Sequence, residues 1–160
     1  MKRYRILHIL HSMNRGGAET LVMNLFRAID RDRYAFDFLL CTGRNDYGEE
    51  ITRGRRPFAY RRDLVRFFTG HAGEFDAVHL HCSSLTSPEA LFAARDCGIP
   101  VRVIHVHSSR PESRLHGVLH RLFRPAALGC ATQLLACSEE AADWLCGGTP
   151  FRRRGLLVRN

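Results

Sequence analysis

Apolar positions along the 160 residues fall into two alternating rhythms. Arg5–Leu10 is a short apolar run that predicts a buried strand. Tyr34–Leu40 places Tyr34, Phe36, Phe38 and Leu40 at every second position, the period of a strand. Between them, Ala18–Ile29 has helical spacing, with Leu21, Leu25 and Ile29 on one face. The stretch from Gly43 to Tyr60 is polar and arginine-rich, and predicts only a helical turn at Glu49–Thr52 and a weak strand at Phe58–Tyr60. Arg61–His71 is helical and Asp76–His81 is a strand. Ser87-Pro88-Glu89 then supplies a cap, a first-turn proline and a first-turn acid for a helix running to Cys97. Val101–Val106 is rich in β-branched residues and is the strongest strand signal in the chain. Arg114–Phe123 predicts a helix with Leu115, Leu119 and Leu122 on one side, closed by Pro125. A brief strand at Leu134–Cys137, a Ser138-capped helix through Leu145 and a strand starting at Leu156–Val158 complete the pattern.

Strands that alternate with helices are joined by right-handed crossovers into a mostly parallel sheet. The expected fold class is therefore α/β, a doubly wound Rossmann-like domain occupying residues 1–160. In such sheets ligands bind beyond the carboxyl ends of the strands, where strand order reverses. With 45% hydrophobic and 25% charged residues, composition excludes wholesale disorder. No apolar run approaches the ~18 residues of a membrane span, and the first residues carry no export signal. The expectation is a cytoplasmic protein with, at most, a peripheral position on the inner face of the membrane. Six cysteines without any C-x-x-C spacing read as buried free thiols.

Candidate chemistry collects at the predicted strand ends. His11-Ser12-Met13-Asn14-Arg15-Gly16-Gly17-Ala18-Glu19 is a turn leading directly into a helix. There, backbone amides favour an anion such as phosphate, and Gly16 and Gly17 permit close approach. Neither G-x-G-x-x-G nor a P-loop is present. His79 and His81 share one strand face, as do His105 and His107, and His11 ends the first strand. If the first, fourth and fifth strands are neighbours, His11, His81 and His107 converge on one crevice, while His79 and His105 read as hydrogen-bonded packing residues. The two H-x-H pairs also raise a zinc hydrolase, which the chain length and the lack of H-E-x-x-H disfavour.

Charge adds a class of partner rather than a name. The chain has 24 basic and 16 acidic residues, a net +8, and Lys2 is its only lysine. Such a surface draws nucleic acid, anionic lipid or phosphorylated ligands, but no nucleic-acid module accompanies it. In Arg61–His71, a helix places Arg62, Arg66 and Phe67 off the face formed by Leu64, Val65 and Phe68. That arrangement suggests arginines on lipid headgroups and an inserting phenylalanine.

The string Ile6-Leu7-His8-Ile9-Leu10-His11-Ser12-Met13-Asn14-Arg15-Gly16-Gly17-Ala18-Glu19-Thr20 resembles the opening of family 4 glycosyltransferases, retaining enzymes of GT-B fold. Phe75–His81, Val103–Ser108 and Ala131–Trp144, with its Ala-Cys-Ser-Glu core, fit the family in order. The resemblance implies the N-terminal, acceptor-side half of a two-domain enzyme of bacterial polysaccharide synthesis. Its partners would be a nucleotide-sugar donor and a glycan or lipid-linked acceptor, with no metal or resident cofactor. Gly16 and Gly17 would lie beside the donor diphosphate, His107 would contact the donor sugar near the reacting centre, and His11 and His81 would touch acceptor or sugar. The donor-binding half with its paired glutamates is expected outside residues 1–160, from a longer chain or a separate partner. A non-catalytic binding or regulatory module of the same ancestry is the alternative.

Overall fold

Every strand of the sheet runs parallel to its neighbours in the computed structural model, which describes residues 2–42, 46–47, 54–55, 61–71, 73–146, 151 and 153–159. Among these, the elements are β1 (Tyr4–Leu10), α1 (Gly17–Ala28), β2 (Tyr34–Leu40), β3 (Gly54–Arg55), α2 (Arg61–Gly70), β4 (Ala77–Cys82), α3 (Glu89–Asp96), β5 (Val101–Val106), α4 (Arg114–Cys130), β6 (Gln133–Ala136), α5 (Glu139–Cys146) and β7 (Gly155–Leu157). The sheet order is β3-β2-β1-β4-β5-β6-β7. The chain winds outward from β1 to β3, then returns to the other side of β1 and winds outward again. This is the doubly wound, Rossmann-like α/β fold, with its reversal between β1 and β4.

The faces are covered unequally. Leu7, Ile9, Val78, Leu80, Ile104, Val106 and Leu134 point to one side and form the larger core with α2, α3, α4 and α5. On the other side, Leu10, Phe38 and Leu40 pack with Met13, Val22 and Met23 in a smaller cluster under α1. Register puts His8 beside His79 and His81 beside His105 on this second face. At the amino ends of the strands, Arg5 is clamped by Asp37 at 2.9 Å and Glu74 at 2.7 Å. Its backbone N–H donates to Asp76. Those charges tie β1, β2 and the turn before β4 at the end opposite the crevice.

Three sequence expectations change. The buried stripe of α1 is Val22 and Met23, whereas Leu25 is 42% exposed, because the helix rests on Met13 and Phe38 through its neighbouring face. Helix α4 does not stop at Pro125 but runs on to Cys130. Pro125 and Arg121 both lie on its exposed side, so the Arg121 carbonyl that loses its helical donor faces water, which lowers the usual cost. The packed side of α4 is Gly117, His120, Ala127 and Cys130, while Leu115 and Leu122 face outward. The short β3 was not anticipated, and the expected turn at 49–52 and strand at 58–60 lie outside the described residues. No described helix is long and apolar enough to cross a membrane. All six cysteines are free.

Candidate functional site

A cavity of about 600 Å³ opens beyond the carboxyl ends of β1, β4 and β5, at the reversal of strand order. His11 follows β1, His81 is the penultimate residue of β4 and His107 follows β5, and all three line the cavity. Parallel pairing explains the convergence. The β4–β5 ladder continues through His107 N–H, which donates to the Cys82 carbonyl at 2.9 Å, so adjacent strand ends finish level.

Gly16 and Gly17 stand one step behind the lining residues Ala18 and Glu19. The Thr20 N–H is the first to close on the Gly16 carbonyl, at 2.9 Å. The helix therefore offers no acceptor to the amides of Gly17, Ala18 and Glu19. Gly16 has φ −94°, a conformation open to any residue, so its value lies in missing bulk rather than backbone freedom. A Cβ there would collide with the Glu19 carboxylate. That carboxylate occupies the favourable position for a negative charge at a helix start.

The histidines form a ladder rather than a scattered set. His8 Nδ1 lies 3.1 Å from His81 Nε2, and His81 Nδ1 lies 3.0 Å from His107 Nε2. A neutral imidazole has one donor and one acceptor, so all the protons in this chain point the same way. His8 Nε2 is buried without a hydrogen bond, and a bare acceptor is the cheaper orphan there than an N–H. The favoured direction therefore runs from His8 Nδ1–H to His81 and from His81 Nδ1–H to His107 Nε2, leaving His107 protonated at Nδ1. Burial first, and the neighbouring His105 second, hold His8 at about 3. Burial also lowers His81 well below its ordinary value, with the other rings adding to the effect.

His79 and His105 do not line the cavity. They pack ring against ring, His79 with its centroid 4.0 Å from His81 and His105 at 4.0 Å from His107. His79 Nε2 and both His105 nitrogens are buried without a well-aligned hydrogen bond, although the Val158 backbone lies close to the His105 ring. Burial, then His107 and His79, depress His105 to about 2. The sets His8/His79/His81 and His81/His105/His107 each bring three ring nitrogens within 4.8 Å of one another. These are the residues that could share a divalent ion, in sites made of imidazole alone.

The serine-rich loop after β4 was missed in the sequence. Ser83, Ser84, Thr86 and Ser87 line the cavity with Glu112 and His116, and the signal was a run of hydroxyls directly after a strand end. Buried His120 and half-buried Trp144 fix this loop. His120 accepts the Leu85 N–H on Nδ1 at 3.0 Å, while its Nε2–H donates to the Trp144 carbonyl at 3.0 Å. The Trp144 indole donates to the Ser83 carbonyl at 3.0 Å and stacks on His120 at 4.0 Å.

The helix α2 corrects one expectation. Phe67 is 7% exposed and packs against Phe68, His71 and Phe75. It has no free ring to insert into lipid.

The fold is a Rossmann-like α/β domain that resembles those of GT-B proteins. The comparisons make this specific. Residues 15–155 match Glycosyltransferase Family 4, and the chain belongs to that family. It is 41% identical, over 93% of its own length, to a Bacillus subtilis (strain 168) protein named as a glycosyltransferase, EpsF, and spans 42% of that relative's length. Among solved structures it is similar to a Listeria monocytogenes protein described as a UDP-N-acetylglucosamine 2-epimerase (TM-score 0.64, 12% identity, covering 90% of this chain and 41% of that one). It is also similar to the Thermobaculum terrenum O-GlcNAc transferase (TM-score 0.60, 15% identity, 98% and 28%). A third likeness is UDP-GlcNAc 2-epimerase from Neisseria meningitidis bound to UDP-GlcNAc (TM-score 0.57, 12% identity, 90% and 42%). At these identities the structures speak for the fold.

Proposed function

We propose that this chain is the acceptor-side half of a retaining glycosyltransferase, moving a sugar from a nucleotide-sugar to a polysaccharide or lipid-linked acceptor on the cytoplasmic side of the membrane. Family membership supports the reaction class. The observation that carries the reading is the cavity at the β1/β4 reversal, bordered by the open amides of α1 and by His107 at the end of its imidazole chain.

In this reading the α1 amides receive the donor diphosphate once Glu19 has swung aside. His107 hydrogen-bonds the donor sugar near its reacting carbon, with His11 and His81 beside the sugar or acceptor hydroxyls. The acceptor oxygen bonds to the anomeric carbon on the face that the diphosphate leaves. The carbon–oxygen bond to phosphate breaks with its electrons on the phosphate oxygen, and the acceptor's proton passes to that oxygen. The remainder of the site comes from a donor-binding half beyond these 160 residues. Alone, this chain presents an open surface where water screens each contact.

The test pairs the chain with a family 4 donor-binding half and measures glycosylated product from a lipid-linked acceptor. His107→Ala is expected to lower kcat by ~10²-fold or more, the scale of one donor to a transition state. A folded His107→Ala protein with near-full kcat would assign the ring to packing. Robust product from the 160-residue chain alone would overturn the half-enzyme reading.

A further inference from the structure

Helix α4 is apolar on both sides. Its inner side joins the larger core through Ala127 and Cys130. Its outer side carries Leu115, Val118 and Leu122 at i, i+3 and i+7, exposed by 65, 59 and 67%. Eight large hydrophobic residues are exposed among the described residues, and these three fall within about two turns of one helix. A surface helix normally turns polar side chains outward, so this ridge is built to be covered.

The charges around it say by what. Arg114 and Arg121 are exposed on the same outward side, Arg124 is half-buried on the helix flank, and Arg110 is exposed just before the helix. The seventeen residues of α4 contain no acid. The nearest in sequence, Glu112, precedes the helix and lies 3.3 Å from His116 Nδ1. A second copy of the chain would have to bring these arginines together, or pair them with acids that the ridge lacks. An anionic lipid surface satisfies both features, because headgroups meet the arginines while the leucines enter the boundary with the acyl chains.

We infer that the outer face of α4 docks on anionic membrane, with Leu115, Val118 and Leu122 inserted and Arg114 and Arg121 at the headgroups. The location differs from α2, whose aromatic side chains are buried. It also joins the site, since Glu112 and His116, at the start of the helix, line the cavity. An amphiphile held in the bilayer would thus meet the cavity mouth one turn from the inserted leucines. The outer face of α4 points away from the sheet, whereas the cavity opens at the strand ends. The inference stands apart from the glycosyl-transfer reading, because no sugar enters its test.

The experiment is cosedimentation of the 160-residue protein with vesicles of phosphatidylcholine alone or with about one-third phosphatidylglycerol. Binding is expected on the anionic vesicles and is expected to fall as salt rises. Arg114→Glu with Arg121→Glu should weaken it by tenfold or more, given roughly fivefold per basic residue at such a surface. Leu115→Ser with Leu122→Ser should weaken it at least tenfold while leaving the thermal melt unchanged, because both positions are exposed. Arg66→Glu on α2 should leave binding unchanged. A tryptophan in place of Leu122 should shift its emission to the blue on anionic vesicles only. Equal binding of the double serine variant would overturn the inference. So would a dimer in sedimentation velocity that the same variant dissolves without any vesicle binding, which would make the ridge a contact between copies.

Discussion

The two faces of the sheet solve the same covering problem with different materials. One face presents Ile104, Val106, Leu80 and Leu134 to four helices and packs against their apolar side chains. The other, one residue away along each strand, presents His8, His81 and His105, all buried, and leaves several ring nitrogens without hydrogen bonds. Moving by one position inverts the face, so adjacent residues of β5 such as Ile104 and His105 carry different duties. The apolar face holds the fold together. The imidazole face is costly to bury, and the cost is tolerated where it supports the side chains at the crevice.

The largest effect is expected on the apolar side. Ile104→Ala should lower unfolding free energy by ~2–5 kcal/mol, because Ile104 is fully buried and its neighbours relax only partly around the space left. Urea titration checks this, and a loss under 1 kcal/mol would mean that the larger core does not carry the stability.

Acid should act on the other side. Well above pH 6.5 the His8 ring is neutral in folded and unfolded chains alike, and its contribution is complete. As pH falls, the unfolded chain takes up a proton that the folded one refuses until about 3. Stability should then drop by up to ~1.4 kcal/mol per pH unit from this ring alone. Urea midpoints between pH 7.5 and 5 should show the fall, and His8→Phe, set among Phe36 and Phe38, should flatten it. An identical slope in that variant would place the pH sensitivity elsewhere.

The same pairing sharpens at β5. His105→Leu should change stability by less than about 1 kcal/mol or raise it, since it removes buried nitrogens that lack well-aligned hydrogen bonds and keeps an apolar group of similar size. A loss as large as that of Ile104→Ala would erase the distinction between the faces. The smallest effect lies at the crevice edge. Glu19→Gln should tighten binding of a nucleoside diphosphate roughly two- to fivefold, the scale of one charge at a helix start. Calorimetric titration of both proteins decides it, and weaker binding by the Gln variant would assign Glu19 to holding the ligand.

Much of the architecture was legible in the amino-acid sequence because it is written in local terms. The two-residue period of Tyr34–Leu40 and the β-branched run of Val101–Val106 declare strands on their own. Alternation with helices leaves a right-handed parallel arrangement as the ready solution. Spacing alone placed His11, His81 and His107 at strand ends, and neighbouring parallel strands that finish level set them around one cavity. Other features needed the folded chain. Leu21, Leu25 and Ile29 make as good a stripe as Val22 and Met23 until Met13 and Phe38 select the second. The serine loop takes its shape from His120 and Trp144, residues 33 or more positions further along the chain. Helices α2 and α4 are both rich in arginine and large apolar side chains, yet one buries Phe67 and the other exposes Leu115 and Leu122. Periodicity depends on neighbours three or four residues away and is carried by the sequence. The choice of inward face depends on which distant groups arrive there, and only tertiary packing makes it.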